Sequence, residues 1–342
     1  MKRSIDLRPV LCGLALATVA AAPLAGGDTV RVAGGTPAGE YITFARATCE
    51  ALGALFPCSP LETKGSQDNV ERLKVPLTDP GAVDLGFVQG DVADQLQQEP
   101  GFNDRFVVVR SIAGEAVLLV MTPETAAAVR NWAGVKDAAF LLSIGLPGEK
   151  SGDTAAFDAL RALPDSPLQA LDVKQYKGRS ELLAAVQSGE VRIGWLVQYP
   201  NPDNAAFQAI DEAGLVEMGV VDPDFVQLGG SFGVQDVTVA NAHWAGLAGA
   251  AKRIHTTTIK AAILGRAPKS YPDLRSRKLQ EAAVHKIQQA SETDILPKKS
   301  WLADLINSAT VTAKDTVVKL YDQMAGEAVG AKERVGQLKK SP

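Results

Sequence analysis

Between residues 29 and 98 a short apolar run gives way three times to a turn and then to a helical pattern, and this alternation restricts the fold more than any other feature of the chain. Residues 29–33, 59–63 and 83–89 read as strands, and residues 40–55, 66–75 and 91–98 as the helices after them. Connections that short and glycine-bearing predict parallel strands with crossover helices. The alternation resumes with strands at 139–145, 168–174 and 191–197 and helices at 152–163, 179–188 and 204–213.

Between and after the two alternating runs the pattern changes. Residues 106–112 and 116–121 read as consecutive apolar strands around Gly114-Glu115, and residues 233–240 as a further strand before the chain turns helical. Two extended stretches, near 110–122 and 220–240, would let the chain pass between two lobes twice, as a hinged binding protein requires. The expected fold class is α/β, with lobe I made of residues 28–112 plus 226–342, including C-terminal helices, and lobe II of 113–225. A length of 342 residues suits two such cores better than one.

The first residues read as a targeting segment. Lys2, Arg3 and Arg8 precede an apolar run at 10–22, which is shorter than the ~20 residues of a membrane span. Ala25-Gly26-Gly27 then offers a cleavage site before Asp28, so residues 1–27 are expected to be a signal peptide and the mature protein periplasmic. Cleavage after Ala20 or Ala21 fits the same pattern. Either way Cys12 is lost, leaving Cys49 and Cys58 as an even pair in an oxidising compartment, which invites one disulfide. The formal charge of −4 excludes a broad electrostatic attraction to nucleic acid or anionic lipid. Near the end, Leu302, Leu305, Ile306, Ala309, Ala313, Val317, Leu320, Met324 and Ala328 recur at helical spacing, as in a long helix strapped to the body.

In an open parallel sheet every strand-to-helix junction lies at the carboxyl edge, where ligands bind. The junctions here carry Gly35 and Thr36; Gly65, Ser66 and Asn69; Gln89 and Asp91; and Gly148 and Ser151. Bare glycine backbone and helix N-termini favour a carboxylate or other anion. Thr36, Ser66 and Asp91 are also natural N-caps, and for each residue alone that role competes evenly with ligand contact. Tyr41 opens the first helix and Tyr199 follows the strand carrying Trp195, so both are candidates to face the ligand. Arg46, Arg72, Arg110 and Arg192 are candidate carboxylate partners.

Known catalytic patterns are missing. Glu149 precedes Lys150-Ser151 where a phosphate loop needs glycine, and the segment from Gly34 to Gly39 is not a GxGxxG. His243, His255 and His285 have neither HExxH spacing nor cysteine partners, and no GxSxG is present. The expectation is a binding protein without cofactor, metal or catalytic residues.

Three segments resemble the TAXI class of solute receptors for tripartite (TRAP) transporters. They are Val32-Ala-Gly-Gly-Thr-Pro-Ala-Gly-Glu-Tyr41, Glu62-Thr-Lys-Gly-Ser-Gln-Asp-Asn-Val-Glu-Arg-Leu73 and Val83-Asp-Leu-Gly-Phe-Val-Gln-Gly-Asp-Val-Ala93, with Cys49 and Cys58 between the first two. The match covers roughly residues 30–95. Lobe II departs from it, with Gly148-Glu-Lys-Ser-Gly-Asp153 where the family often has a Gly-Ser-Gly-Thr-like turn. The resemblance implies a type II periplasmic-binding-protein fold, capture of a small organic anion or amino acid, and delivery to TRAP membrane permease subunits. The alternative is a periplasmic sensor or scaffold that presents its ligand state to a membrane signalling receptor.

Overall fold

Strands covered by helices on both faces can be apolar along their whole length, and β3 and β7 below are buried at every position. The computed structural model of the protein describes residues 29–37, 39–201, 205–239 and 252–296. Its first half alternates β1 (Val30–Ala33), α1 (Glu40–Leu52), β2 (Cys58–Leu61), α2 (Ser66–Lys74), β3 (Leu85–Gln89), α3 (Gly90–Gln97) and α4 (Phe102–Arg105). After the long strand β4 (Phe106–Met121) come α5 (Pro123–Val129), α6 (Trp132–Asp137), β5 (Ser143–Pro147) and α7 (Gly152–Arg161). The second half continues through β6 (Asp172–Tyr176), α8 (Arg179–Gln187), β7 (Ile193–Gln198), α9 (Ala205–Glu212) and β8 (Val216–Gly219). β9 (Phe232–Val239), β10 (Lys252–Arg266), α10 (Leu274–Gln289) and α11 (Glu292–Ile295) complete the described residues.

Strand order is β2-β1-β3-β10-β4-β7-β5-β6, with β8 beside β4 and β9 beside β10. β1 pairs in parallel with β2 and β3, and β5 in parallel with β6 and β7. β4 and β10 run antiparallel through the middle and belong to both halves. Ala261–Gly265 of β10 pair with β3, while its earlier residues pair with β9. Residues 116–121 of β4 pair with β7, while its earlier residues pair only with β10. The fold is α/β and type II periplasmic-binding-protein-like: two βα halves, each with its own buried clusters, joined by two strands. Phe44, Phe87 and Ile263 centre one cluster of the first half, and Trp195, Phe157 and Leu119 one of the second.

Several expected elements differ in extent. The two strands expected at 106–112 and 116–121 are one 16-residue strand, because β10 is long enough to pair along both parts. A register shift between Lys260 and Ala261 absorbs the irregularity at Gly114. The strands expected at 139–145 and 168–174 begin later, since Ala139–Leu141 and Pro167–Ala170 form 3-10 turns. The first helix stops at Leu52, where Gly53 takes φ 71° and ends it. Residues 252–266 are not helical as expected but form β10, the second crossing, and β-branched Ile254, Thr256, Thr257, Thr258 and Ile259 suit a strand; among the described residues after it the helices begin at Leu274. His255 therefore sits on a strand, where Asp236 faces it at 2.8 Å. α5, α6 and β8 have no counterpart among the expected elements. The expected signal peptide, His243 and the tail from Leu302 lie outside the described residues.

Cys49 of α1 and Cys58 of β2 form the expected disulfide, closing a loop over a sequence separation of 9. Loop closure of that size contributes roughly 2–3 kcal/mol through the unfolded state. The double substitution C49S/C58S is expected to lower unfolding stability in urea by that amount, and no loss on reduction of the wild type would contradict it.

Candidate functional site

The carboxyl ends of β1, β2 and β3 face those of β5, β6 and β7 across one cleft, and Glu115 of β4 sits at the crossing between them. Three helices that begin there lack the side-chain caps found on three helices elsewhere, although the single-turn α4 also follows a glycine, Gly101, without one. Away from the cleft, Thr122, Asn131 and Asp273 cap α5, α6 and α10 through side-chain hydrogen bonds. At the cleft, α1, α2 and α8 start after Gly39, Gly65 and Gly178, and none has a side-chain cap. All three glycines line the cleft. First-turn N–H groups have no intrahelical partner, so these ends present open donors and the positive end of a helix dipole to whatever occupies the space. α7 is the exception, because Ser151 accepts from Thr154 N at 3.1 Å.

Six residues singled out in the first half meet along one wall of the cleft, or at its floor: Gly35, Thr36, Tyr41, Gly65, Ser66 and Gln89. Gly148 and Ser151 line the opposite wall. Neither Thr36, Ser66 nor Asp91 is an N-cap, so capping does not account for those side chains. Ser66 Oγ accepts instead from Gln89 N at 3.0 Å, tying α2 to the end of β3.

Three singled-out residues do not line the cleft. Asn69 is buried and donates from Nδ2 to Gly34 O at 2.5 Å and Phe87 O at 2.6 Å, stitching the β1 and β3 ends together. Tyr199 packs edge-on against Phe44 in the first half's core. Asp91 lies fully buried beneath the cleft, and neither carboxyl oxygen makes a well-formed hydrogen bond. The four arginines named as carboxylate partners are not there either. Arg46 faces Glu62, Arg72 faces Asp68, and Arg110 donates to Ala290 O. Arg192 is exposed just before β7.

What sequence reasoning missed is the charged set inside the cleft. Arg179, the first residue of α8, donates to Gln198 Oε1, to Val197 O at 2.8 Å and to Asp153 Oδ1 at 3.3 Å. Asp153 Oδ1 also accepts from Val197 N at 2.7 Å, so the pair is knitted into the end of β7. Glu115 is only 4% exposed and accepts from Tyr41 Oη at 2.6 Å. Glu40 lines the same space, and Lys64 and Lys177 stand at its exposed mouth.

Burial dominates the electrostatics. It pushes the Glu115 carboxyl up to about 8, helped by the negative charges of Asp153 and Asp91 and opposed by the Tyr41 hydrogen bond and Arg179. Asp91 is raised to about 7 by burial, and the N–H groups of Val92 and Asp91 offset that only partly. Tyr41 is raised well above its ordinary value by burial and by the adjacent Glu115 charge.

The two walls touch. Lys150 Nζ lies 2.6 Å from Glu71 Oε2, and Gln67 N donates to Lys150 O at 3.3 Å. Gly152 backs onto Gln89 so closely that a Cβ there would fall 2.3 Å from Gln89 Oε1. Gly65, at φ 119° and ψ −157°, is in a region open essentially to glycine alone, and a Cβ on it would sit 3.1 Å from Ser151 Cα. Gly65→Ala is therefore expected to cost about 1–3 kcal/mol in unfolding free energy and to weaken ligand affinity together with it. Retention of both would refute the close approach.

The chain matches no protein-family model and no curated protein sequence. Among solved structures it is similar to a periplasmic transporter at 16% identity, covering 85% of this chain and 97% of that one, with a TM-score of 0.46. It is also similar to an amino acid ABC transporter substrate-binding protein from Streptococcus pneumoniae bound to L-arginine, at 12% identity, 82% and 95% coverage and a TM-score of 0.46. A third is MatC from Rhodopseudomonas palustris with bound malate, at 18% identity, 82% and 95% coverage and a TM-score of 0.45. None of these transfers a residue role to this chain. Among the described residues no helix is long and apolar enough to cross a membrane, and no group of three His, Cys, Asp or Glu side chains is placed to hold a metal ion.

Proposed function

We propose that this chain is an extracytoplasmic solute receptor that closes two lobes on a small carboxylate-bearing ligand. The observation that carries the reading is the convergence of three uncapped, glycine-started helix N-termini on one cleft between the two halves. A ligand carboxylate would take the open N–H groups of α1, α2 and α8, with Ser66 and Thr36 hydroxyls beside it. Lobes of 28–112 plus the return from 226, and of 113–225, would hinge on β4 and β10 and open by parting Lys150 from Glu71. The contacts across the cleft support reading the described arrangement as the closed end of that motion.

The resemblance at residues 32–93 supports a finer reading: the mature protein is periplasmic and hands its ligand to TRAP membrane permease subunits. No nucleic acid, cofactor or metal enters this reading.

The test is a thermal-shift screen of the protein, without residues 1–27, against L-amino acids and small mono- and dicarboxylates. Stabilisation by one class, reduced by Ser66→Ala, is the expected result. A ligand at a hundred times its Kd adds ~2.7 kcal/mol to a protein's stability, which such a screen detects readily. If nothing stabilises the protein, or if Ser66→Ala leaves the affinity unchanged, the assignment of the cleft is wrong. Affinity capture from membranes tests delivery: co-recovery of a permease supports it, and recovery of a signalling receptor alone favours the sensor reading.

A further inference from the structure

The cleft holds a carboxyl without a cation beside it. Lys150 has Glu71, and Arg179 spends donors on Asp153, Gln198 and Val197. Glu115 has no cation: among the described residues its one hydrogen bond comes from Tyr41 Oη to Oε2, at 2.6 Å. It lines the cleft although only 4% exposed, so Oε1 is the oxygen left for a ligand. The elements packed around it supply no free cation. α1 offers Tyr41, α3 offers Asp91, α7 offers Asp153, α8 offers Arg179, and β10 sets Ile259 opposite it in the ladder. Two of those groups are acidic and one is a neutral phenol. The single cation, Arg179, is already engaged by Asp153. Lys64 and Lys177 stand at the exposed mouth. The cleft is thus polarised, with helix N-termini and lysines at its rim and an unpaired carboxyl at its floor.

We propose that Glu115 selects a protonated amine on the ligand and gives up its own proton to solvent when that amine arrives. This rests on the receptor reading above and narrows it from carboxylates in general to amino acids and related zwitterions. In the closed arrangement described, with no ligand present, burial holds the Glu115 carboxyl up at about 8, so at neutral pH it is an uncharged acid that needs no counter-ion. The capture step conserves atoms and charge. The carboxyl O–H bond breaks and its proton leaves to the buffer. The ligand keeps all three ammonium hydrogens and directs one as a hydrogen bond to the resulting carboxylate, whose charge the ammonium cancels. The ligand's own carboxylate leaves the site one unit more negative, matched by the proton released to the buffer. An uncharged hydroxyl in place of the amine cannot drive that exchange, because a lone carboxylate at this depth has no partner.

The experiment uses pairs of probes that differ only there: L-amino acids and their 2-hydroxy acid analogues, such as L-alanine with L-lactate and L-aspartate with L-malate. Each is titrated calorimetrically into the protein lacking residues 1–27, in phosphate and in Tris at one pH, so that the difference in heat counts protons. For the amino acid that binds best, the expected result is release of about one proton per ligand near pH 7, falling toward none above about pH 9. The 2-hydroxy partner should bind at least about tenfold more weakly and release none. Glu115→Gln should abolish the proton release and most of the preference. The wild-type proton count stands by itself if that variant does not fold. Tight binding of either probe without proton release, or equal affinities within a pair, overturns this inference and leaves the receptor reading intact. Binding of neither member of any pair, nor of any other carboxylate, overturns the receptor reading and this inference with it.

Discussion

Ligand-free protein whose cleft keeps the closed arrangement described above is expected to lose stability as pH rises from about 5 to about 9, where a protein with ordinary carboxylates would hold or gain it. The cause is two buried acids, Glu115 at the floor of the cleft and Asp91 beneath it. Asp91 is raised from 3.8 to about 7 and Glu115 from 4.5 to about 8, in both cases chiefly by burial. In the unfolded chain both ionise near pH 4, whereas the folded state holds their protons. Below the unfolded values the two states bind the same protons and the full stability is present. Above them the unfolded state is increasingly favoured, until pH passes the folded values. A tenfold difference in acidity between the two states is worth about 1.36 kcal/mol, so each acid accounts for a loss on the order of 4 kcal/mol across that window. Asp91→Asn removes one titrating group at nearly constant shape. The variant should exceed wild type by roughly 2 kcal/mol near pH 5 and by more near pH 8.5, with a shallower slope between. Urea unfolding at four pH values measures this. A wild-type stability that is flat or rising from pH 5 to 8.5 would falsify the burial of both carboxyls. Addition of an amine-bearing ligand should remove the Glu115 part of the trend and leave that of Asp91, since the ligand needs the ionised form of Glu115.

The frame of this protein was legible from periodicity because both halves are built from strands buried on two faces, whose apolar runs stand out between glycine-bearing junctions. The junction residues were legible too, for one physical reason: bare backbone at a strand end has few uses besides close approach. Side-chain orientation was not. Ser66 and Asn69 lie on one turn of α2, yet Ser66 lines the cleft while Asn69 turns into the body to bridge Gly34 and Phe87. The cleft's charged residues were missed for two different reasons. Arg179 follows Gly178 at a strand–glycine–helix junction like the others, but the 3-10 turn at Pro167–Ala170 displaced the expected strand, whose end fell short of that glycine. Glu115 carried a signal that went unread, since a charged residue inside the apolar run from Phe106 to Met121 must either break the strand or serve a purpose. Reading it as a gap between two strands still gave the crossing near 110–122 but concealed the site. β10 was hidden because its central part, from Thr256 to Ile263, has no alternation to announce a strand: every residue there but Lys260 is buried.

Of the charges in the cleft, Arg179 is expected to be the costliest to remove, and comparison with Lys150 shows why. Lys150 and Glu71 make the shorter contact, at 2.6 Å, but both are well exposed, and such pairs contribute about 0–1 kcal/mol. Lys150→Ala should therefore leave unfolding stability nearly unchanged. The Arg179 and Asp153 side chains are 19% and 10% exposed, and the guanidinium also holds Gln198 and Val197 O. Arg179→Met leaves Asp153 as a buried carboxylate without a cation, at a cost of about 3–5 kcal/mol. Arg179→Lys keeps the charge but loses the planar fork that reaches three acceptors, so it should fall between wild type and Arg179→Met. The double variant R179M/D153N removes the stranded charge, while the amide oxygen that replaces the carboxylate can still accept from Val197 N. It should be more stable than R179M alone by about 1–3 kcal/mol, a coupling that a surface pair does not produce. Denaturant unfolding of wild type, both single variants and the double variant measures the cycle. A coupling near zero, or a cost for R179M no larger than that for Lys150→Ala, would mean that solvent reaches the floor of the cleft. The same finding would remove the ground for holding Glu115 uncharged, because both acids depend on the closed walls for their burial.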